Sequence, residues 1–196
     1  SVMNFGILMI QGLVNSFGTA VMAAFAAAVK IDSFAYMPAQ EFANAFSIFI
    51  SQNYGAGKKE RVQRSVRDSF RTSVTFCIVI SVIVFLLAPY LMMIFISPSE
   101  TEIIRIGAEY LRIEGACYCG IGILFLLYGY YRGVGKPEMS VVLTVISLGT
   151  RVALAYALAP VIGVLAIWIA IPIGWLLADV TGVIYGRLWT SRWRFE

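Results

Sequence analysis

The sequence predicts an all-α fold, a polytopic membrane protein built as a bundle of six transmembrane helices. Hydrophobic residues make up 60% of the 196 residues, and charged residues make up only 13%. A soluble domain carries about 25% charged residues, because its surface must be hydrated. The apolar residues also occur in long runs without a polar face, which indicates that much of the surface faces lipid.

Six stretches of the chain are apolar over the roughly 20 residues that a helix needs to cross a hydrocarbon core. The boundary between the first two is open, because Gly18-Thr19 can end the first span early and lengthen the second one backward. The count stays at six in either case. The predicted spans are Val2 to Val29, Ser33 to Tyr54, Thr72 to Ile96, Ile106 to Tyr131, Met139 to Ala159 and Val161 to Leu188.

The connections between these spans are short. Those at Tyr54 to Arg71, Ser97 to Arg105 and Arg132 to Glu138 are polar. Only the turn from Ala159 to Gly163 is apolar, and proline and glycine mark it as a turn.

Lysine and arginine are concentrated on one side of the predicted bundle. Eleven of the 15 basic residues fall in the connection after the second span, the connection after the fourth span and the C-terminal tail. The positive-inside rule makes these segments cytoplasmic. We therefore expect a multi-pass protein of the cell (inner) membrane whose C-terminus is cytoplasmic. Anchoring to the bilayer accounts for the basic connection, so we expect no nucleic-acid partner.

The residue types in the chain also indicate which metal and catalytic sites it can form, and its first residues indicate whether it is a whole protein. The chain contains no histidine and three cysteines. Cys117 and Cys119 point to different faces of a helix, so we expect buried, inert thiols and no metal site. Without a nucleophile–base pair or clustered carboxylates, an enzyme is disfavoured. Ser1 lies in an apolar run that is not a signal peptide, which suggests a chain cut from a longer one.

Charges inside the spans are expensive, at least about 2.5–3.5 kcal/mol each, and they invite a functional interpretation. Glu41 is predicted to lie about 20 Å from the cytoplasmic end of the second span, and Arg151 lies midway along the fifth. Glu114 and Asp179 are either functional or satisfied near an interface. Lys30 and Asp32 fall in a loop or in the outer part of the second span, depending on the first break.

The deep polar residues suggest a cavity. We interpret Glu41, together with Gln11, Asn15 and Asn44, as lining a substrate cavity, since all four belong to the first two spans. Arg151 is a further cavity candidate. It is alternatively structural, paired with an acid of a neighbouring helix, and a structural ion pair also remains an alternative for Glu41. Composition alone leaves a transporter module, a membrane-embedded enzyme and a structural subunit as classes.

Ordered motifs resemble the multidrug and toxic compound extrusion (MATE) family. The stretch Gln52-Asn53-Tyr54-Gly55-Ala56-Gly57-Lys58-Lys59-Glu60-Arg61 resembles the motif that closes the family's eighth helix. The other matching stretches are Gln11 to Gly18, Ala23-Ala24, Met37-Pro38, Phe49 to Ser51, Tyr131 to Pro137, Gly163 to Trp168 and Ile171 to Trp175. They keep the family's order and spacing from end to end, and the DinF-like bacterial branch is the most similar.

The resemblance implies that residues 1–196 form the C-terminal lobe, helices seven to twelve, of a twelve-helix transporter. The partners would then be the missing N-terminal lobe, the lipid bilayer and small amphipathic, often cationic, substrates. Efflux would be coupled to entry of H⁺ or Na⁺, with no other cofactor, by rocking of the two lobes. A flippase of the same superfamily, moving lipid-linked oligosaccharides, and a non-transporting membrane subunit are the alternatives.

One departure from the family concerns the coupling ion. Members with a cation site in this lobe carry an acid on helix seven and another on helix ten. By counting from the motifs, these places fall near Met3 and Ile121, neither of which coordinates a cation. We therefore expect the coupling acid to lie in the N-terminal lobe, outside this chain, with Glu41 as the alternative.

Overall fold

The computed structural model describes residues 2–192, and the side chains of residues 6–187. Over this range the chain forms seven α-helices joined by short turns. They are α1 (Val2–Asn15), α2 (Thr19–Gly55), α3 (Lys59–Met92), α4 (Thr101–Gly115), α5 (Tyr118–Gly133), α6 (Pro137–Ile162) and α7 (Leu165–Arg192). The side chain of Met3 and those of two basic residues of the C-terminal tail, Arg192 and Arg194, on which the predictions above depend, lie outside the described residues.

Helix length and apolarity confirm a multi-span membrane protein. Helices α2, α3, α6 and α7 are each long and apolar enough to cross a membrane, and α4 with α5 forms a fifth candidate, bent by 54°. At 14 residues, α1 takes the place of the remaining predicted span, but it is shorter than the roughly 20 residues that a crossing requires. The all-helical class is thus confirmed, with corrections to the first, second, third and fourth spans.

The first correction concerns the break between α1 and α2, where the structure confirms the early alternative at Gly18-Thr19. The first span does not continue to Val29, because α1 ends at Asn15 and α2 begins at Thr19. Gly18 has φ +99°, a left-handed conformation that glycine adopts without steric cost. The second span consequently starts 14 residues earlier than Ser33 and carries Lys30 and Asp32 inside α2.

The second correction concerns the basic connection predicted from Tyr54 to Arg71. Only residues 56–58 form the turn, and α3 begins at Lys59. Val62 is buried, while Val66 and Phe70 follow it at four-residue spacing. This apolar stripe makes the segment an amphipathic helix despite its charges, because the apolar residues share one face and the charged residues occupy the others.

The third correction concerns the fourth predicted span, which is broken. Between α4 and α5 the helix is interrupted at Ala116 and Cys117, and the two halves meet at 54°. Gly115, next to the break, allows α4 to pack closely on α3, since a Cβ there would lie 3.2 Å from Val84 of α3. The apolar turn after α6 is confirmed, although α6 continues through Pro160 and the chain reverses at Gly163, whose φ is +65°.

Close helix packing holds α2 against α5. A Cβ at Gly129 would lie 2.6 Å from the backbone oxygen of Ala43, and one at Gly133 would lie 2.8 Å from the backbone oxygen of Ser47. Small residues allow such approach of two backbones in membrane proteins. The long α3 lies at the outside of the bundle, with many apolar side chains exposed along residues 78–87.

Candidate functional site

A polar cavity of about 570 Å³ opens among six of the seven helices. Only α3 contributes none of the residues that line it. Its polar lining consists of Gln11 and Asn15 on α1, Lys30, Asp32 and Tyr36 on α2, Tyr110 and Glu114 on α4, Arg151 on α6 and Trp175 on α7. Apolar walls with a few convergent polar groups are the usual composition of a small-molecule site.

Two buried carboxyl groups form the chemical centre of this cavity. Asp32 and Glu114 are each only 2% exposed, and their side chains lie next to one another and next to Tyr110. The hydroxyl of Tyr118 donates a hydrogen bond to Oδ1 of Asp32. Asp32 Oδ2 and Glu114 Oε1 have no hydrogen-bond partner. We call Asp32, Glu114, Tyr110 and Tyr118 the carboxylate cluster.

The break between α4 and α5 positions this cluster. Glu114 occupies the last turn of α4, and Tyr118 is the first residue of α5. A carboxylate near a helix C-terminus meets unpaired carbonyl groups, which oppose its negative charge. The arrangement therefore adds to the cost of burying Glu114 as an anion, and it places a hydroxyl donor one turn away on the same face.

Aromatic packing fixes the position of Tyr110. Its ring meets Trp168 edge-on at a centroid distance of 4.8 Å and Phe25 edge-on at 5.7 Å. Phe25 in turn stacks on Trp168 with an interplanar angle of 10°. Trp168 is fully buried, so these three rings form a rigid wall behind the carboxylate cluster.

Arg151 faces the same cavity but forms no ion pair within 4 Å with a carboxylate among the described residues. Its guanidinium lies 6.0 Å from the ring centroid of Trp175, at the outer limit of a cation–π contact. Its Nε atom has no hydrogen-bond partner. The hypothesis of a direct ion pair with a neighbouring acid is not supported, although Glu114 is close enough to feel the charge.

The structure divides the predicted site residues between two places. Gln11, Asn15 and Arg151 line the polar cavity, as grouped from the sequence. Asn44 lines a different cavity of about 610 Å³ between α2, α5 and α6. Glu41 is exposed and lines neither of them.

A hydrogen-bonded chain connects Glu41 to this second cavity. Asn44 Nδ2 donates to Glu41 Oε2 at 3.4 Å, and Arg132 donates to Asn44 Oδ1 at 2.9 Å. The second cavity also contains hydroxyl groups, since Thr144 donates to the Tyr128 hydroxyl at 3.2 Å. The residues predicted as one group by depth thus belong to two separate polar regions.

The motif residues Gln52, Asn53, Gly55, Ala56 and Gly57 form the last turn of α2 and the start of the connection to α3. The amide of Lys58 donates to the Asn53 carbonyl at 2.9 Å, and that of Gly57 donates to Tyr54 at 3.0 Å. This pair of bonds is a Schellman helix ending. It requires the left-handed residue Gly57, whose φ is +70°. The motif therefore has a structural role in setting the turn.

The carboxylate cluster was not predicted as a unit, but one sequence signal was available for it. Tyr110, Glu114 and Tyr118 are spaced by four residues, which places them along one helix face. Asp179, which was expected to be either functional or satisfied near an interface, is 7% exposed, and its Oδ1 has no partner. Ile121, at the position predicted to replace a family acid, is an apolar part of the cavity wall.

Comparison with known proteins agrees with this architecture. The family model MatE matches residues 1–157. The probable multidrug resistance protein YpnP of Bacillus subtilis (strain 168) is 28% identical over 190 residues, which cover 96% of this chain and 42% of that protein. The chain thus spans less than half the length of this relative.

Solved structures show the same fold. An outward-facing multidrug resistance MATE family transporter of the MOP superfamily matches with a TM-score of 0.90 and 20% identity, over 99% of this chain and 44% of that one. An inward-facing MATE family transporter of that superfamily matches with a TM-score of 0.86 and 21% identity, over 97% and 44%. The family-model match over most of the chain shows that the chain belongs to the MatE family, and these structures show that it shares the fold of MATE family transporters.

Proposed function

We propose that this chain is one lobe of an efflux transporter that exports amphipathic compounds by alternating access, in exchange for entering H⁺ or Na⁺. The observation that carries the proposal is the carboxylate cluster, buried at the wall of the polar cavity in a membrane-spanning bundle. Burying ionisable groups inside a membrane is costly, and such groups mark ion or substrate pathways by default. The other lobe of the transporter supplies the opposite wall of the cavity.

The similarity to two transporter states supports alternating access by rocking. The chain matches the outward-facing transporter with a TM-score of 0.90 and the inward-facing one with 0.86. One lobe conformation is therefore compatible with both states. This is expected if the lobes move as bodies and the motion occurs mainly between them.

The carboxylate cluster is our candidate for the coupling site. Asp32 and Glu114 lie side by side without an ion-pair partner within 4 Å among the described residues, and one oxygen of each is unpartnered. Two adjacent carboxylates in a poorly hydrated site need a proton or a cation between them, because like charges repel strongly there. Arg151 lines the same cavity but forms no ion pair within 4 Å with either carboxylate, so it does not replace such a proton or cation.

This proposal differs from the expectation that the coupling acid lies in the N-terminal lobe. It also differs from the hypothesis that Glu41 substitutes for the family acids. Both remain predictions, and the experiment below separates the three.

The proposal includes an orientation in the membrane, which the basic residues set. The turn at residues 56–58 and the turn at residues 134–136 both lie among basic residues. By the positive-inside rule these turns and the C-terminus are cytoplasmic, in an inner membrane. The charges of the polar cavity are mixed in sign, since Lys30, Arg151, Asp32 and Glu114 all line it. This mixture does not favour the flippase alternative, for which a more cationic cavity was expected.

Reconstituted vesicles test the function and the coupling site together. The full-length transporter is placed in proteoliposomes, and efflux of a fluorescent amphipathic cation such as ethidium is followed under a pH gradient or a Na⁺ gradient imposed separately. We expect Glu114→Gln and Asp32→Asn to abolish gradient-driven efflux and to retain ethidium binding. Glu41→Gln serves as the matched control, since its carboxylate lies outside the polar cavity.

The outcomes discriminate between the proposals. No gradient-driven efflux by the unaltered transporter would refute the antiport function. Loss of coupling in Glu41→Gln alone would favour the hypothesis made from the sequence. Normal coupling in all three variants would place the coupling acid in the other lobe.

A further inference from the structure

An apolar groove lies between α3 and α7, apart from both polar regions. Both helices pack near α5, whose side chains floor a groove of about 400 Å³ that we call the α3–α7 groove. One wall is the stripe Val62, Val66 and Phe70 on α3. The other is the segment of α7 at residues 182–187, where Gly182 and Gly186 carry no side chain.

The walls of this groove are only partly covered by protein. Val66, Phe70 and Val183 are 36%, 45% and 38% exposed, although all three line the groove. The floor is closed, since Tyr131 is fully buried and its hydroxyl donates to the Gly182 carbonyl at 2.5 Å. A groove with a fixed floor and open apolar walls is shaped for a long apolar chain.

Two guanidinium groups accompany this apolar surface. Arg67 of α3 and Arg187 of α7 line the same groove, one on each wall. The groove lies where α3 changes from its basic first half to an apolar second half, which begins after Arg71. In a membrane-spanning helix this change marks the passage from headgroups to hydrocarbon.

We propose that the α3–α7 groove binds an anionic phospholipid, with one acyl chain along the stripe and the phosphate paired with Arg67 and Arg187. Basic pockets between transmembrane helices on the cytoplasmic side bind anionic headgroups, because the surface charge and the guanidinium donors act together. The lipid comes from the cytoplasmic leaflet, and in this respect the inference rests on the orientation proposed above. Its test measures binding and is independent of transport.

Native mass spectrometry of the full-length transporter in detergent tests headgroup recognition. Phosphatidylglycerol and phosphatidylcholine with identical acyl chains are compared, and we expect selective retention of phosphatidylglycerol. Arg67→Gln should weaken this retention about fivefold, the effect of removing one basic contact. Arg64→Gln is the matched control, because this substitution removes the same charge from α3 at a position outside the groove. The Nε atom of Arg64 lies 3.8 Å from Oδ2 of Asp68.

A second pair of variants tests the acyl chain. Val183→Trp fills the groove from α7 and should abolish retention of phosphatidylglycerol. Ile184→Trp, at a neighbouring position that is 53% exposed and does not line the groove, should leave it unchanged. If Val183→Trp fails to fold, Val66→Trp fills the groove from the opposite wall.

Four results would overturn the inference. Equal retention of the two lipids by the unaltered transporter would remove headgroup recognition. Equal losses in Arg64→Gln and Arg67→Gln would indicate diffuse attraction to the basic face. Displacement of the lipid by inorganic phosphate alone would indicate a simple anion site. Dissociation of a dimer in Val183→Trp would show that a second copy covers the groove.

Discussion

Replacing Gly129 by alanine tests how closely α2 and α5 must approach. The added Cβ would lie 2.6 Å from the backbone oxygen of Ala43 and 3.3 Å from Cδ1 of Phe46. An ordinary contact between carbon and a carbonyl oxygen needs about 3.3 Å or more, so the helices must separate locally by about 0.7 Å. The obstructing atom belongs to the backbone and cannot rotate away, which makes this a strain on the whole helix pair.

The expected loss of stability follows from two opposing effects. Overpacking of this kind costs about 1–3 kcal/mol, and alanine returns about 0.5–1 kcal/mol because glycine is disfavoured inside a helix. The net change is a loss of up to about 2.5 kcal/mol, equivalent to a decrease in Tm of up to about 10 °C for a chain of this size. The hydrogen bond between Arg132 and Asn44, one turn farther along, should weaken as the helices separate.

Thermal unfolding of the detergent-solubilised protein, followed by intrinsic fluorescence, measures this change. Gly149→Ala in α6 is the matched control, because no atom of the structure lies within 4 Å of the added Cβ. Its Tm should be unchanged or slightly higher. If Gly129→Ala and Gly149→Ala shift the Tm equally, the close approach of α2 and α5 does not limit stability, and the packing account is wrong.

Two further changes have clear expectations. Gly57→Ala should destabilise the protein by about 1 kcal/mol, because alanine is strained in the left-handed conformation. Gly55→Ala, inside α2 with open space around its Cβ, should stabilise it slightly. The Tm values of the two variants, measured in parallel, test this account of the turn. Tyr118→Phe removes the hydrogen-bond donor to Asp32 and should lower the free energy of unfolding by about 1–3 kcal/mol, since a buried carboxylate oxygen loses its partner. Thermal denaturation of the variant measures this loss. A stability equal to that of the unaltered protein would show that this hydrogen bond is dispensable.

The membrane fold was predictable because it depends on composition and on helix length. A shortage of charged residues excludes a large hydrated surface, and apolar runs of about 20 residues locate most of the helices. The ordered motifs from Gln52 to Gly57 and around Gly133 were sufficient to indicate the family, which is confirmed. The break at Ala116 and Cys117 was not predicted, because no proline or polar run separates the charged first half of that span from its apolar second half.

The candidate site was harder to predict, since it depends on which face of a helix each residue occupies. Glu41 and Asp32 are nine residues apart in α2, which is about 2.5 turns and places them on opposite faces. Glu41 was grouped with the cavity residues because of its depth along the helix. It lies on the helix face that points away from the polar cavity. Asp32 meets Glu114 only through packing of α2 on α4, and a contact between residues 82 positions apart leaves no local pattern in the sequence.

The carboxylate cluster lies at the break between α4 and α5, where a change in its charge can affect the bend between these helices. Asp32 belongs to the continuous helix α2, Glu114 ends α4, and Tyr118 begins α5. A proton or cation that binds between the two carboxyl groups therefore acts on both sides of a helix break and on the helix packed against it. Pro38 lies six residues beyond Asp32 inside α2, where the missing amide hydrogen bond weakens the helix. If coupling occurs at this cluster, we expect the ion to change the bend between α4 and α5, because no other part of the described cavity wall combines buried charge with an interrupted backbone.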